Sequence, residues 1–456
     1  MRARWRLIGA SLAAVALLSA VPASAAAGDQ WIFRAPAARP TDHPDPNRNA
    51  YTVPEAPASP SCTRHFCVHW VAEGIDAPNP TDSNGDGVPD FVDRVQAVAE
   101  RVYFVENEKL GWRDPKCDGH KGGGNCKTDI YLDEIGGALF GYAAPDRGQA
   151  SKAHRLPRHL HGYLVLDNDY APSEFPGTTS EHDLEVTVAH EYNHILQFGY
   201  DAYQDAWFAE STAVWMEDQV YNGINDYLRY VRRWVKRYDT PLTTSSIKEY
   251  GSAVWNKWLT RRYGRSIIRS AWARAVHTKP GGFSVGAYNS AIEAAGGSDF
   301  SHDFARFARD LPEWRTDTVF PEGDSYPDVA RQGSLPLDGR VLRRDLNHTT
   351  FQLLRVHAAA GRAVVVDATT PAGYAAGVAL VGRVGSERHG HVVSALTYGA
   401  QGGRMIVRLA RPGRFNRLTA VIVNADASAA GFSARRLDWS YLTESAPFRV
   451  SARLIR

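Results

Sequence analysis

The stretch VTVAHEYNHILQF, residues 186–198, constrains this chain more than any other. His190 and His194 are four residues apart, so on a helix they project from one face a single turn apart. Two imidazoles so placed can share one tetrahedral metal ion and leave an edge open to water. Glu191 is the next residue round the helix and can reach such a water from the side, which completes the HExxH arrangement of two ligands and a general base. Leu184, Val188 and Ile195 give the helix a buried stripe, and Ser180 with Asp183 can form a capping box at its start. The chain holds 16 histidines, so the spacing alone can arise by chance. Its position inside an amphipathic helix favours a zinc site.

A catalytic zinc takes three protein ligands and one open position. The continuation HExxHxxGxxH is excluded, because Gln197 and Tyr200 stand where it needs glycine and the third histidine. The alternative is a carboxylate from a following helix. Asp201 and Asp205 fall in a turn, whereas Glu210 lies within AWFAESTAVWM, with Trp207 at i−3 and Val214 at i+4. A carboxylate on so apolar a face is costly unless it is paired or metal-bound. Glu210 is therefore the expected third ligand. Glu217, on the same face two turns on beside Asp218, is the second candidate.

Lys and Arg total 52 against 50 Asp and Glu, for a net charge of +2. That balance suggests neither a nucleic-acid partner nor a polybasic membrane binder. MRARWR followed by an apolar run and Ala23-Ser24-Ala25 reads as a secretory signal peptide over residues 1–25, so the mature protein is expected to be secreted, with no stable membrane anchor. In an oxidising compartment the four cysteines are expected as disulfides, Cys62 with Cys67 and Cys117 with Cys126. The competing reading, zinc held by CTRHFCVH through His65 and His69, is disfavoured there. Residues 26–60, rich in Ala, Pro and Asp, read as an extended leader or pro-segment without core periodicity.

From residue 61 the composition becomes globular. Phe91, Val95, Val98, Val102 and Val105 line one face of a helix, TDIYLDEI and HGYLVLDNDY read as strands, and helices are expected around 207–219, 225–237, 252–263, 265–276 and 300–309. From residue 330 to 456 the texture changes to short β-type runs, such as RAVVVDAT and LTAVIVNAD, the pattern of an all-β sandwich. DSNGDGVPDFVD fits a calcium-loop template: Asp82, Asn84, Asp86, the Val88 carbonyl, Asp90 and Asp93 take the ligand positions and Gly87 the sharp turn. A structural Ca²⁺ is expected there; the competing reading is a polar turn that caps the helix.

HExxH followed by a helix bearing W-x-x-E-x-x-A resembles the gluzincin, thermolysin-like zinc metallopeptidases. The ordered set DSNGDGVPDFVD, HEYNHILQ, WFAESTAVWMED and YGSAVW is similar to a poorly characterised group of secreted bacterial metalloprotease-like proteins. The likeness covers Asp82 to Trp255 and not the C-terminal region. It implies an α+β, zincin-like catalytic domain over residues 61–325, mainly helical after the active-site helix, followed by the accessory sandwich. It also implies hydrolysis of protein or peptide substrates with Zn²⁺, Glu191 as base and, by analogy with related clans, Tyr250 as oxyanion donor. Thermolysin-like enzymes carry an Asp one turn after the glutamate ligand to support a zinc histidine. Here that position is Val214, so the support must come from elsewhere. Two readings compete with a secreted endopeptidase: an aminopeptidase, and a secreted binding or surface protein with a vestigial metal site. Oligomeric state and cleavage preference are not legible.

Overall fold

Residues 38–42, 50–119, 121–137, 139–146, 159–279, 281–357, 359–427 and 445–456 are described by a computed structural model. All lie within one unit, Ile32–Arg456; the expected signal peptide is outside them. The first layer is a five-stranded sheet built from β1 (Ser61–Cys62), β2 (Phe66–His69), β3 (Thr128–Asp133), β4 (Gly141–Pro145) and β5 (Gly162–Asp167), in the order β1-β2-β3-β5-β4. β2, β3 and β5 are parallel, while β1 and β4 run antiparallel at the two edges. Every residue of the three parallel strands is buried, as expected where helices cover a sheet. Here α1 (Asp90–Tyr103), continued by a π-helical turn over Phe104–Lys109, and α2 (Ser180–Asp201) pack against it.

After α2 the chain is helical: α3 (Ala206–Val220), α4 (Leu228–Trp234), α5 (Lys248–Gly251), α6 (Ala253–Tyr263), α7 (Ser266–Arg274), α8 (Ser284–Ala294) and α9 (Phe300–Asp310). α8 and the antiparallel edge strand β4 are absent from the sequence-based expectation. In SVGAYNSAIEA the buried Val285, Tyr288 and Ile292 are spaced for a helix but set among small residues, and GYAAP, whose one large side chain is Tyr142, is too short to show a period. The expected capping box is replaced by a different N-terminus. Thr179 caps α2 by accepting the His182 N–H at 3.2 Å, Ser180 donates to the Tyr170 carbonyl at 2.7 Å, and Asp183 accepts from Thr178.

The C-terminal region is all-β. It comprises β6 (Leu342–Asn347), β7 (Thr350–Arg355), β8 (Ala363–Thr370), β9 (Ala376–Val384), β10 (His391–Gly399), β11 (Gly403–Ala410), β12 (Arg417–Asn424) and β13 (Ser445–Ile455). These form two four-stranded sheets, β10-β9-β12-β7 and β11-β8-β13-β6, antiparallel throughout. Val366, Val378, Leu380, Val407, Ile422 and Phe448 fill the space between them. α9 packs on the first of these sheets, and Tyr238 stacks on Phe351 with ring centroids 4.9 Å apart.

Both expected disulfides are present, Cys62–Cys67 across the β1–β2 pair and Cys117–Cys126. The histidines beside the first are engaged elsewhere: His65 with Glu100 at 2.6 Å, and His69 with Glu55 at 2.7 Å and Asp129 at 3.2 Å. No described helix is long and apolar enough to cross a membrane. The described part of the leader, residues 38–42 and 50–60, is not the coreless segment its composition suggests. Ala38, Arg39, Tyr51 and Ala56 are buried, and the Arg39 guanidinium meets three buried carboxylates, Asp118 at 2.7 Å, Asp146 at 2.8 Å and Asp129.

Candidate metal centre

α2 and α3 pack on one another, and the contact brings together the side chains singled out above. α3 is buried on nearly every side, including Trp207, Phe208, Val214 and Trp215, the condition of a helix apolar all round. Glu210 escapes that apolar setting by facing α2. Its Oε2 lies 3.1 Å from His190 Nε2 and 3.6 Å from His194 Nε2. Two ligands of a tetrahedral zinc, with bonds near 2.0 Å, stand roughly 3.3 Å apart, so the three donors fit a single such ion. Among the described residues only one other group of three donors converges in this way, Glu134, Asp167 and Glu174.

What aims both Nε2 atoms at one point is the capture of both Nδ1 atoms by separate partners. Glu217 Oε1 sits 2.6 Å from His190 Nδ1, and Gln197 Oε1 sits 2.9 Å from His194 Nδ1. Such partners set the tautomer and the ring orientation of a metal ligand. Glu217, the second candidate for third ligand, thus lies on the far side of His190 from Glu210 and orients the ring. It supplies the support missing at Val214. Gln197 in turn donates to Asn193 Oδ1 at 2.7 Å and to the Ala209 carbonyl at 3.1 Å, which ties α2 to α3 beside Glu210. Asn193 donates to Glu106 at 2.8 Å, a fully buried acid in the π-helical turn. Sequence reasoning missed Gln197, Asn193 and Glu106. The available signal was two polar residues, Asn193 and Gln197, on the buried side of an amphipathic helix, and nothing local pointed to Glu106.

The electrostatics favour positive charge between the two helices. Burial opposes protonation of His190, yet Glu210 and Glu217 hold its pKa well above the ordinary value. Burial likewise opposes ionisation of Glu210, yet His194 and His190 hold its carboxyl below the usual carboxylate range. Burial pushes Glu217 up to about 7, against the pull of His190. Glu191 is half-buried and raised, burial being the main cause, and it accepts the N–H of Ala143 from β4. β4 comes this close because Gly141 has no side chain. A Cβ there would lie 2.7 Å from Thr187, one turn before His190. Tyr250, on α5, lies parallel to the His190 ring at 6.1 Å and stacks on Tyr230 at 5.0 Å. The Glu210 charge, and then burial, push its hydroxyl far up, so the phenol stays protonated and able to donate.

The 82–93 loop closes on itself. Asp82 accepts the N–H groups of Gly85 and Gly87 at 2.7 and 2.9 Å, Asn84 that of Asp86 and Asp86 that of Val88, each at 2.9 Å. Asp90 is turned onto the Ser83 N–H and hydroxyl, and the Asn84 amide lies 3.1 Å from both Asp86 and Asp93. A Ca²⁺ here would have to take Asp90 from Ser83 and displace that amide.

Among curated proteins none matches this chain. Among solved structures, the chain is similar at 10% identity and a TM-score of 0.18 to a pre-peptidase C-terminal domain of collagenase from Bacillus anthracis, over 28% of this chain and all of that one. It is similar at 10% identity and a TM-score of 0.15 to a family GH115 4-O-methyl-α-glucuronidase, over 64% of this chain and 46% of that one. Both scores are low, and neither likeness assigns fold or function. One family matches, described as a family of unknown function (DUF6055), over residues 175–335, a span that holds His190, Glu191, His194, Glu210, Glu217 and Tyr250.

Proposed function

We propose that the protein is a secreted zinc metallopeptidase that cleaves within protein or peptide chains, its first domain zincin-like and its sandwich accessory. One observation carries this reading. His190 Nε2, His194 Nε2 and Glu210 Oε2 converge, each ring held from behind by its own acceptor, with Glu191, a carboxylate that a purely structural zinc does not need, next to His190 on the helix. When bound, zinc would polarise a carbonyl and acidify a water. The remaining work belongs to the chain. Glu191, with its pKa raised by burial, is suited to take a proton from the attacking water and return it to the leaving amine. Tyr250, kept protonated, is placed to donate to a developing oxyanion. β4 supports a peptide as substrate. It pairs with β5 on one side only among the described strands, so its other edge can take up an extended chain in register with Glu191. The two disulfides support an extracellular location.

Glu191→Gln keeps the size of the side chain but cannot accept a proton. It is expected to retain one zinc per chain and to lose casein hydrolysis by at least about a hundredfold, the usual range for a general base. Zinc analysis beside the digest checks both halves. Full hydrolysis by Glu191→Gln refutes the mechanism, and wild-type protein that neither holds nor takes up zinc refutes the site.

A further inference from the structure

The second convergence of donors shares no residue with the first. Glu134 follows β3, Asp167 ends β5, and Glu174 lies in the loop that leads from β5 to α2. One carboxylate oxygen from each lies within 4.8 Å of the others. Clustered acids alone establish nothing, since solvent and counterions can serve them. Here the central acid is cut off from solvent. Asp167 is fully buried; its Oδ1 accepts the N–H groups of Asp169 at 3.2 Å and Tyr170 at 2.6 Å, and its Oδ2 has no hydrogen-bond partner. Glu174 Oε2 is also buried without a partner. Glu134 keeps one bond, from the Gly136 N–H at 2.8 Å. Among the described residues no Lys, Arg or His forms an ion pair with any of the three. An unpaired buried carboxylate is costly, and two more beside it add like-charge repulsion.

We infer that Glu134, Asp167 and Glu174 form a Ca²⁺ site that clamps the ends of β3 and β5 to the loop entering the zinc helix. The donors suit that ion. They are oxygen ligands from three separate chain segments, in a setting without the fixed octahedron that Mg²⁺ demands. The loop is otherwise held by the buried rings of Tyr170 and Phe175 and by a few hydrogen bonds. Asn168 reaches the Ile75 and Ala77 carbonyls at 2.9 and 3.1 Å, and Tyr170 receives the Ser180 hydroxyl at the first turn of α2. A cation on Asp167 and Glu174 would fix the two ends of the span between them, and so the entry of α2.

The test uses the full mature protein, freed of calcium on a chelating resin and resupplied with zinc, and Ca²⁺ alone as the probe. No zinc ligand is altered, so the outcome is independent of peptidase activity. Without calcium, Glu174→Gln relieves the repulsion and is expected to melt above wild type. With millimolar Ca²⁺ the order reverses, because only wild type gains from the ion. Calorimetric titration should find one Ca²⁺ fewer in Glu174→Gln than in wild type, and one fewer in the double variant than in Asp86→Ala. The second comparison separates this site from the 82–93 loop. Should Glu174→Gln not fold, Glu134→Gln carries the same expectations at a half-exposed position. An equal rise in melting temperature with and without calcium, an unchanged stoichiometry, or a response to Mg²⁺ that Ca²⁺ does not share, overturns the assignment.

Discussion

Arg39→Ala is expected to destabilise the protein by about 3–5 kcal/mol at neutral pH, the usual cost of removing one partner from a buried ionic network. The guanidinium is 2% exposed and is shared among Asp118, Asp129 and Asp146, while Tyr131 lies 3.3 Å from Nη1. An ammonium has no planar fork to divide among three acids, so Arg39→Lys should recover only part of the loss. The pH dependence follows from the partners. Burial works to raise Asp146, but Arg39 and His161 hold it below the usual carboxylate range. A depressed acid contributes stability that is present above its unfolded pKa and lost as pH falls through the folded one. Burial raises Asp129 despite His69 and Arg39, so its contribution runs the other way. Without Arg39 the buried acids take up protons more readily as pH falls and shed the cost of their unpaired charge, so the gap between Arg39→Ala and wild type should narrow toward about pH 3. Urea unfolding at both pH values measures it; a neutral-pH difference below about 1 kcal/mol would assign the network no structural weight.

The second large effect separates ligand from support. Glu210→Ala removes one of three donors and is expected to leave zinc too weakly held to survive dialysis. Glu217→Ala leaves the donor set intact and frees His190 to turn, so zinc affinity should fall by roughly 10–100-fold, the range found for such outer partners. Competition with a chromophoric chelator reads both. If Glu217→Ala loses its metal and Glu210→Ala keeps it, the two roles are exchanged.

The candidate metal centre was legible where its logic is local. An i, i+4 pair of histidines needs only one helix, and Glu210 stood out because its neighbours on that helix face, Trp207 and Val214, are apolar. The support of His190 was not legible, since Glu217 lies seven residues beyond Glu210 where the known pattern puts an acid at four. Arg39 was hidden for a different reason. Its partners are 79 to 107 residues away, and a short stretch of Ala, Pro and Arg carries no period that points to them. The Ca²⁺ candidate is assembled from three segments, none of which resembles a loop motif. In the sandwich the apolar runs of β8, β9, β11 and β12 were plain, whereas β6, LRRDLN, is too charged to read as a strand.

β13 is the last strand in chain order, yet it lies inside its sheet, between β8 and β6. A ribosome or an export channel delivers the segments before β13 first. Until β13 arrives, β6 and β8 each present an unpaired flank to whatever lies nearby, and such flanks recruit other chains. Closure of the sandwich is therefore a late event in the life of each molecule. Loss of the chain from Ser445 onward would reopen the same two flanks, so the order of synthesis and the route of degradation meet at one strand.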